Sequence, residues 1–204
     1  DGRGRMIPVT TILPHQQPTK DAPMIVNTGR VRDQWHTMTR TGKAPRLLQH
    51  RSEPFIEVHP DDLQACGLAA GELGTLWHGS GHFTGRVRST RLQRRGEVFV
   101  PIHWNQQFAS SALATSLTES VTDPFSGQPE AKHGTADLRP FDSQWQARLL
   151  CRQDSPKHWH ADYWCQVPLE HCDSWWLAGT TEVNWEEQAT RWLGGSPQLV
   201  MADT

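Results

Sequence analysis

The run ELGTLWHGSGHFTGRVRSTRLQRRGEVFVPI, residues 72–102, decides the fold. It holds three apolar stretches, residues 73–77, 83–91 and 98–102, parted by Gly79-Ser80-Gly81 and by Arg94-Arg95-Gly96. Short β-rich runs punctuated by glycine turns read as strands with tight connections. Gly85-Arg86-Val87-Arg88 alternates, which turns Val87 inward and both arginines outward. Trp77 is expected in the core. The spacing is that of a small closed or nearly closed β-barrel.

Further strands are expected on either side. Met24-Ile25-Val26 and Phe55-Ile56-Glu57-Val58 are short apolar runs, and residues 134–138 form another before Pro140. His59-Pro60-Asp61-Asp62 reads as a helix start, with proline in the first turn and acids beside it, and Gly67 as its end. Residues 1–23 carry Pro8, Pro14, Pro18 and Pro23 and are expected to be an irregular lead-in. Residues 24–141 then form the barrel. Residues 142–204 hold seven of the ten tryptophans and are expected to be an irregular extension, with a short helix over 186–193 that ends at Gly194-Gly195.

Composition narrows the function. Twenty basic residues against 22 acidic ones give a net charge of -2, so no basic excess grips a nucleic-acid backbone. No apolar run reaches membrane-spanning length. Mean hydropathy is -0.63, polar for a folded chain, but ten Trp and six Phe supply core material. Cys66, Cys151, Cys165 and Cys172 are spread without a C-x-x-C, the pattern of reduced thiols in a cytoplasmic protein. The chain opens on Asp1 and closes without a terminal helix pattern, which reads as a piece of a longer polypeptide.

Several clusters could carry chemistry. Thr28-Gly29-Arg30 follows a strand, where free N–H groups can form a nest for phosphate and Arg30 and Arg32 can add charged hydrogen bonds. The same residues also make an ordinary strand-end turn with solvated arginines. Thr39-Arg-Thr-Gly-Lys43 fails the nucleotide-loop pattern, because no glycine lies five residues before Gly42 and Ala44 replaces Ser or Thr. Trp35-His36-Thr37 and His103-Trp104-Asn105 each set an indole beside hydrogen-bonding groups, suited to a planar heterocycle or to a capped core tryptophan. Cys151, His158, His160, Cys165, His171 and Cys172 match no metal-ligand spacing. No G-x-S-x-G marks a nucleophile elbow.

Four ordered segments say more together. Asn27-Thr-Gly-Arg-Val-Arg-Asp-Gln-Trp-His-Thr-Met-Thr-Arg-Thr-Gly42 is followed by Glu57-Val-His-Pro-Asp-Asp62, Val98-Phe-Val-Pro-Ile-His-Trp-Asn105 and Asp123-Pro-Phe-Ser-Gly-Gln-Pro-Glu-Ala-Lys-His133. This series resembles the C-terminal dinucleotide-binding domain of assimilatory nitrate reductases in the dimethyl-sulfoxide-reductase superfamily. The resemblance is dense from Met24 to Phe141 and weaker beyond. It implies a mainly β fold with short helices, a double-psi β-barrel, closing over bis-molybdopterin guanine dinucleotide.

Carried onto this chain, the cofactor-binding set is Thr28, Gly29, Arg30, Gln34, Trp35, His36, Thr37, His103, Trp104, Asn105, Thr115, Gln128 and Lys132. Thr115 stands where relatives place an asparagine, and a hydroxyl replaces one amide hydrogen bond but not a pair. The resemblance implies that the molybdenum ligand and the iron–sulfur cluster belong to upstream domains, that the rest of the same polypeptide is the partner, and that an unidentified donor supplies electrons. The whole enzyme would reduce nitrate to nitrite, and these residues alone would be inactive. A formate dehydrogenase, or a stand-alone nucleotide- or pterin-binding module without catalysis, are the alternatives.

Overall fold

The computed structural model describes every residue except 1, 5, 7, 9, 153–158 and 194–204. Six strands close into a barrel in the order β1-β5-β2-β4-β3-β6. They are β1 (Met24–Gly29), β2 (Phe55–Val58), β3 (Leu73–His78), β4 (Gly81–Ser89), β5 (Glu97–Pro101) and β6 (Gly134–Pro140). Two pairings are parallel, β1 with β5 and β2 with β4, and the other four are antiparallel. This agrees with the double-psi β-barrel that the sequence led us to expect. Alternate residues fill the interior: Val26, Ile56, Val58, Leu76, Phe83, Val87, Val98 and Val100 are all buried.

Local chemistry sets the connections. Helix α1 (Pro45–Leu48) starts on its proline. In α2 (Pro60–Ala65), the His59 imidazole caps the Asp61 N–H at 3.2 Å and Gly67 takes a left-handed φ of 71°, so start and stop fall where expected. Trp77 is a correction. It is 40% exposed and stacks on His82 outside the barrel, because Leu76 takes the inward position and the next residue must point out.

The register gathers many loops at one rim. Gly29 pairs with Pro101, so parallel β1 and β5 both end there. Antiparallel β2 and β6 begin at that end, and β4, parallel to β2, begins there too. The segments 30–54, 102–113 and 118–133 therefore open on the same face.

The expected irregular extension is also corrected, since it holds a second, antiparallel sheet. Strands β7 (Trp145–Cys151), β8 (Tyr163–Pro168) and β9 (Asp173–Gly179) lie in the order β7-β9-β8. β8 and β9 are apolar on both faces, while β7 alternates buried and half-buried residues with exposed Gln146, Arg148 and Leu150. Tyr163, Cys165, Val167 and Ala178 join the barrel core. Trp145, Trp175 and Leu177 face the other way, against Trp159 and the Trp185 and Trp192 of helix α3 (Trp185–Leu193). The rings meet tilted or edge-on, 5.3–6.4 Å apart. Gly179 is required opposite Trp145, whose indole lies 2.3 Å from where a Cβ would stand. The expected helix stop at Gly194-Gly195 and the candidate ligand His158 lie outside the described residues. Among the described residues no helix is long and apolar enough to cross a membrane, and no group of three His, Cys, Asp or Glu could hold a metal.

A half-buried ion pair ties this sheet to the barrel. Arg86 grips Glu53 with Nε at 2.9 Å and Nη2 at 3.3 Å, donates to the Gly71 carbonyl, and reaches Gln146 on β7. The Tyr163 hydroxyl donates to the same carboxylate at 3.3 Å. Burial pushes the Glu53 carboxyl up, and Arg86 and Tyr163 draw it part of the way back. Arg86→Ala leaves that carboxylate buried without its cation and is expected to cost about 3 kcal/mol. Urea unfolding checks this, and the paired change Glu53→Gln with Arg86→Met should recover most of the loss.

Candidate functional site

The rim is framed by buried polar groups that serve the backbone. His103 follows β5 and is fully buried. Its Nδ1 donates to the His36 carbonyl at 2.6 Å and its Nε2 accepts the Val31 N–H at 2.9 Å. Those two bonds fix one neutral tautomer and fasten the 31–36 loop to the strand end. Gln34, also buried, donates to the Leu47 carbonyl at 3.0 Å and accepts from the Thr41 hydroxyl at 2.7 Å. Thr28 donates to the Ala131 carbonyl at 2.6 Å. His103 and Thr28 each join two segments of the molecule, whereas Gln34 braces residues 34, 41 and 47 of a single loop.

Within this frame the loop turns sharply. His36 and Met38 have φ of 44° and 60°, a left-handed conformation that costs side-chain-bearing residues about 1–2 kcal/mol each. Met38 is buried as an anchor, while Trp35, His36 and Thr37 are left outside. Trp35 is 53% exposed, its ring edge-on to His36 at 4.5 Å, with the Arg30 guanidinium over it at 5.3 Å. Asn105 reaches the Thr37 carbonyl at 3.5 Å and accepts the Gln107 N–H at 2.9 Å. Lys132 donates to the Thr28 carbonyl. The rim thus presents two cations, an exposed indole, an imidazole and a carboxamide.

The expected residues divide by role. Arg30, Trp35, His36, Thr37 and Asn105 form one cluster with Gln34 and His103, and Lys132 is tied separately to Thr28. Thr115 and Gln128 are exposed, but their backbone bonds stay within their own loops, to Thr118 and to Asp123 and Ser126. Trp104 is completely buried against the Phe55 ring at 6.4 Å, so its indole is core and offers no stacking face. Gly29 is needed for packing, since the Phe99 ring lies 2.4 Å from where its Cβ would stand. Thr41 and Glu130 were missed by sequence reasoning. Glu130 sat inside a quoted motif, but its partners lie far away in sequence.

The chemistry of this set fits a large anionic ligand with planar rings: cations meet phosphate oxygens, the indole meets a heterocycle, and amide and imidazole groups meet its edge. Burial pushes the His103 imidazole below its ordinary 6.5, the backbone bond to His36 opposing. A depressed folded value means its contribution to stability is complete above about pH 6.5 and is lost as pH falls toward the folded value. The urea midpoint should therefore fall below about pH 6.5, with a shallower fall in His103→Asn than in the parent.

The model of the Molydopterin dinucleotide binding domain matches residues 24–136. A nitrate reductase of Klebsiella oxytoca is 45% identical over 168 residues, covering 78% of this chain and 19% of the relative. An F420-dependent formate dehydrogenase subunit alpha of Methanocaldococcus jannaschii is 33% identical over 132 residues, covering 65% of this chain and 19% of that protein. In fold, acetylene hydratase from Pelobacter acetylenicus superposes with a TM-score of 0.51 at 16% identity, over 59% of this chain and 19% of that one. The chain spans about a fifth of the length of these relatives. With more than half of its residues matched by the family model, and with a closed barrel in the matched region, the chain belongs to the molybdopterin dinucleotide binding domain family.

Proposed function

We propose that this chain is the cofactor-binding part of a cytoplasmic, molybdenum-dependent nitrate reductase, and that its rim holds molybdopterin guanine dinucleotide. The observation that carries the reading is the convergence of Arg30, Trp35, His36, Asn105 and Lys132 on one rim of a barrel whose sequence is most similar, among the relatives named above, to a nitrate reductase. The molybdenum centre of the bound group supplies two-electron oxygen-atom chemistry, for the reduction of nitrate to nitrite.

The residues of this chain bind and orient. Arg30 and Lys132 hold phosphate oxygens by charge-assisted hydrogen bonds. Trp35 offers its face to a purine or pterin, while the His36 ring, Asn105 and the Gln128 amide read polar edges. Thr28, Gln34 and His103 do not touch the ligand; Gln34 and His103 keep the turn at residues 35–38 in its strained, ready form, and Thr28 holds the Lys132 segment to the end of β1. Thr115 contributes one hydroxyl at the border of the site. The second sheet and α3 are the part of this chain that meets the rest of the polypeptide, where the metal ligand and the iron–sulfur cluster would reside. Electrons arrive from a donor through that part.

In the full-length enzyme, Arg30→Ala and Lys132→Ala should each lower molybdenum content several-fold with the unfolding temperature unchanged. Equal molybdenum content with a lowered unfolding temperature would return both residues to the solvated surface. The substrate is tested on loaded enzyme. Nitrate-dependent turnover supports the reading, and formate oxidation without nitrate turnover overturns it in favour of a formate dehydrogenase.

A further inference from the structure

Three consecutive residues near the start of β6 are bonded to two distant parts of the chain, the lead-in and the end of β1. The Glu130 carboxylate accepts the His15 N–H on both oxygens, at 2.8 and 3.0 Å, and the Gln16 N–H at 3.3 Å. The Ala131 carbonyl accepts the Thr28 hydroxyl, and the Lys132 ammonium donates to the Thr28 carbonyl. The lead-in is anchored beside this point. Gln16 is buried, and its Oε1 accepts the Thr135 N–H at 3.0 Å, one residue into β6. The Gln17 side chain donates to the Pro14 carbonyl at 2.8 Å and stiffens the same bend.

From this we infer that Glu130 is a positioning residue. It clasps the lead-in at His15 and Gln16 to the segment that carries Lys132, and so sets where the Lys132 ammonium stands for an anionic ligand at the rim. The inference rests on the cofactor reading above.

Charge and geometry both favour the clasp. Two successive N–H groups converge on one carboxylate, a charged acceptor, and such bonds are stronger than neutral ones. The same donors hold the Glu130 carboxyl below its usual range. A carboxylate two residues from Lys132 would otherwise be free to fold back on that ammonium and neutralise it. Engaged by backbone donors 114 and 115 residues away in sequence, it is held off the cation.

The test uses the full-length enzyme and three readouts: hydrogen exchange at the His15 and Gln16 amides, molybdenum content, and unfolding temperature. Glu130→Ala should speed exchange at both amides by about tenfold or more. It should also lower molybdenum content several-fold, with the unfolding temperature held. Glu130→Gln keeps one acceptor oxygen and should give intermediate values of both. Combining Glu130→Ala with Lys132→Ala should lower the content no further than Lys132→Ala alone, because both act through one ammonium. Faster exchange with full molybdenum content in Glu130→Ala, beside a loss in Lys132→Ala, overturns the positioning role and leaves the cofactor reading standing. Full content in Lys132→Ala overturns the cofactor reading, and the inference with it.

Discussion

Parallel pairing of β1 with β5 is the constraint on which the rest of the molecule depends. Parallel neighbours cannot be joined by a hairpin, so each strand must continue into a long segment that leaves from the same end of the barrel. Here the pairing runs from Ile25 opposite Glu97 to Gly29 opposite Pro101. The loop after Gly29 and the loop after Pro101 are thereby delivered side by side, though about seventy residues apart in the chain. His103 uses that proximity: one imidazole reaches across the gap and ties Val31 and His36 to the end of β5. A hydrophobic core would hold the barrel without it. The imidazole adds a hold on the strained turn.

Strain and burial are coupled at this turn. A left-handed His36 is tolerated because its carbonyl is taken by a buried donor and because Met38, also left-handed, is sunk in the core. The free energy stored in two such residues must be met by the packing around them. The result is an exposed Trp35 whose position is set by neighbours on both sides, with Arg30 above one face. A pre-set indole and guanidinium lose little side-chain freedom when a ligand arrives.

Much of this was legible in the sequence, for identifiable reasons. The barrel strands are short apolar runs closed by Gly-rich turns, and their alternation could be read directly. The rim residues lay in ordered motifs. Trp77 was misplaced because an apolar residue at a strand end carries no label for its face until the pairing of Leu76 with Phe83 is known. Trp104 was misjudged for the converse reason, since its indole turns into the core beside His103. The second sheet was hidden by its own composition. In β8 and β9 both faces are apolar, one on the barrel and one under a layer of tryptophans, so polar alternation shows only in β7. Glu130 could not be assigned, because its partners are backbone N–H groups at the far end of the chain.

Net charge gave an incomplete account of electrostatics at the rim. A chain of net charge -2 has no general attraction for anions, but the carboxylates of the rim loops are fixed by donors other than Arg30 and Lys132. Asp33 bonds Arg32 at 2.9 Å and His50 at 2.8 Å. Asp123 accepts the N–H groups of Phe125 and Ser126 and the Ser126 hydroxyl, which fold its own loop. Glu130 is taken by the lead-in. Hydrogen bonding holds all three carboxyls below their usual range. The cations are treated differently: Arg30 lies against a neutral indole and Lys132 against a neutral carbonyl. Neither partner cancels charge, so both keep their full attraction for an incoming anion. Where charges are held matters as much as their sum: here the carboxylates are held by other donors, while Arg30 and Lys132 lie against neutral partners.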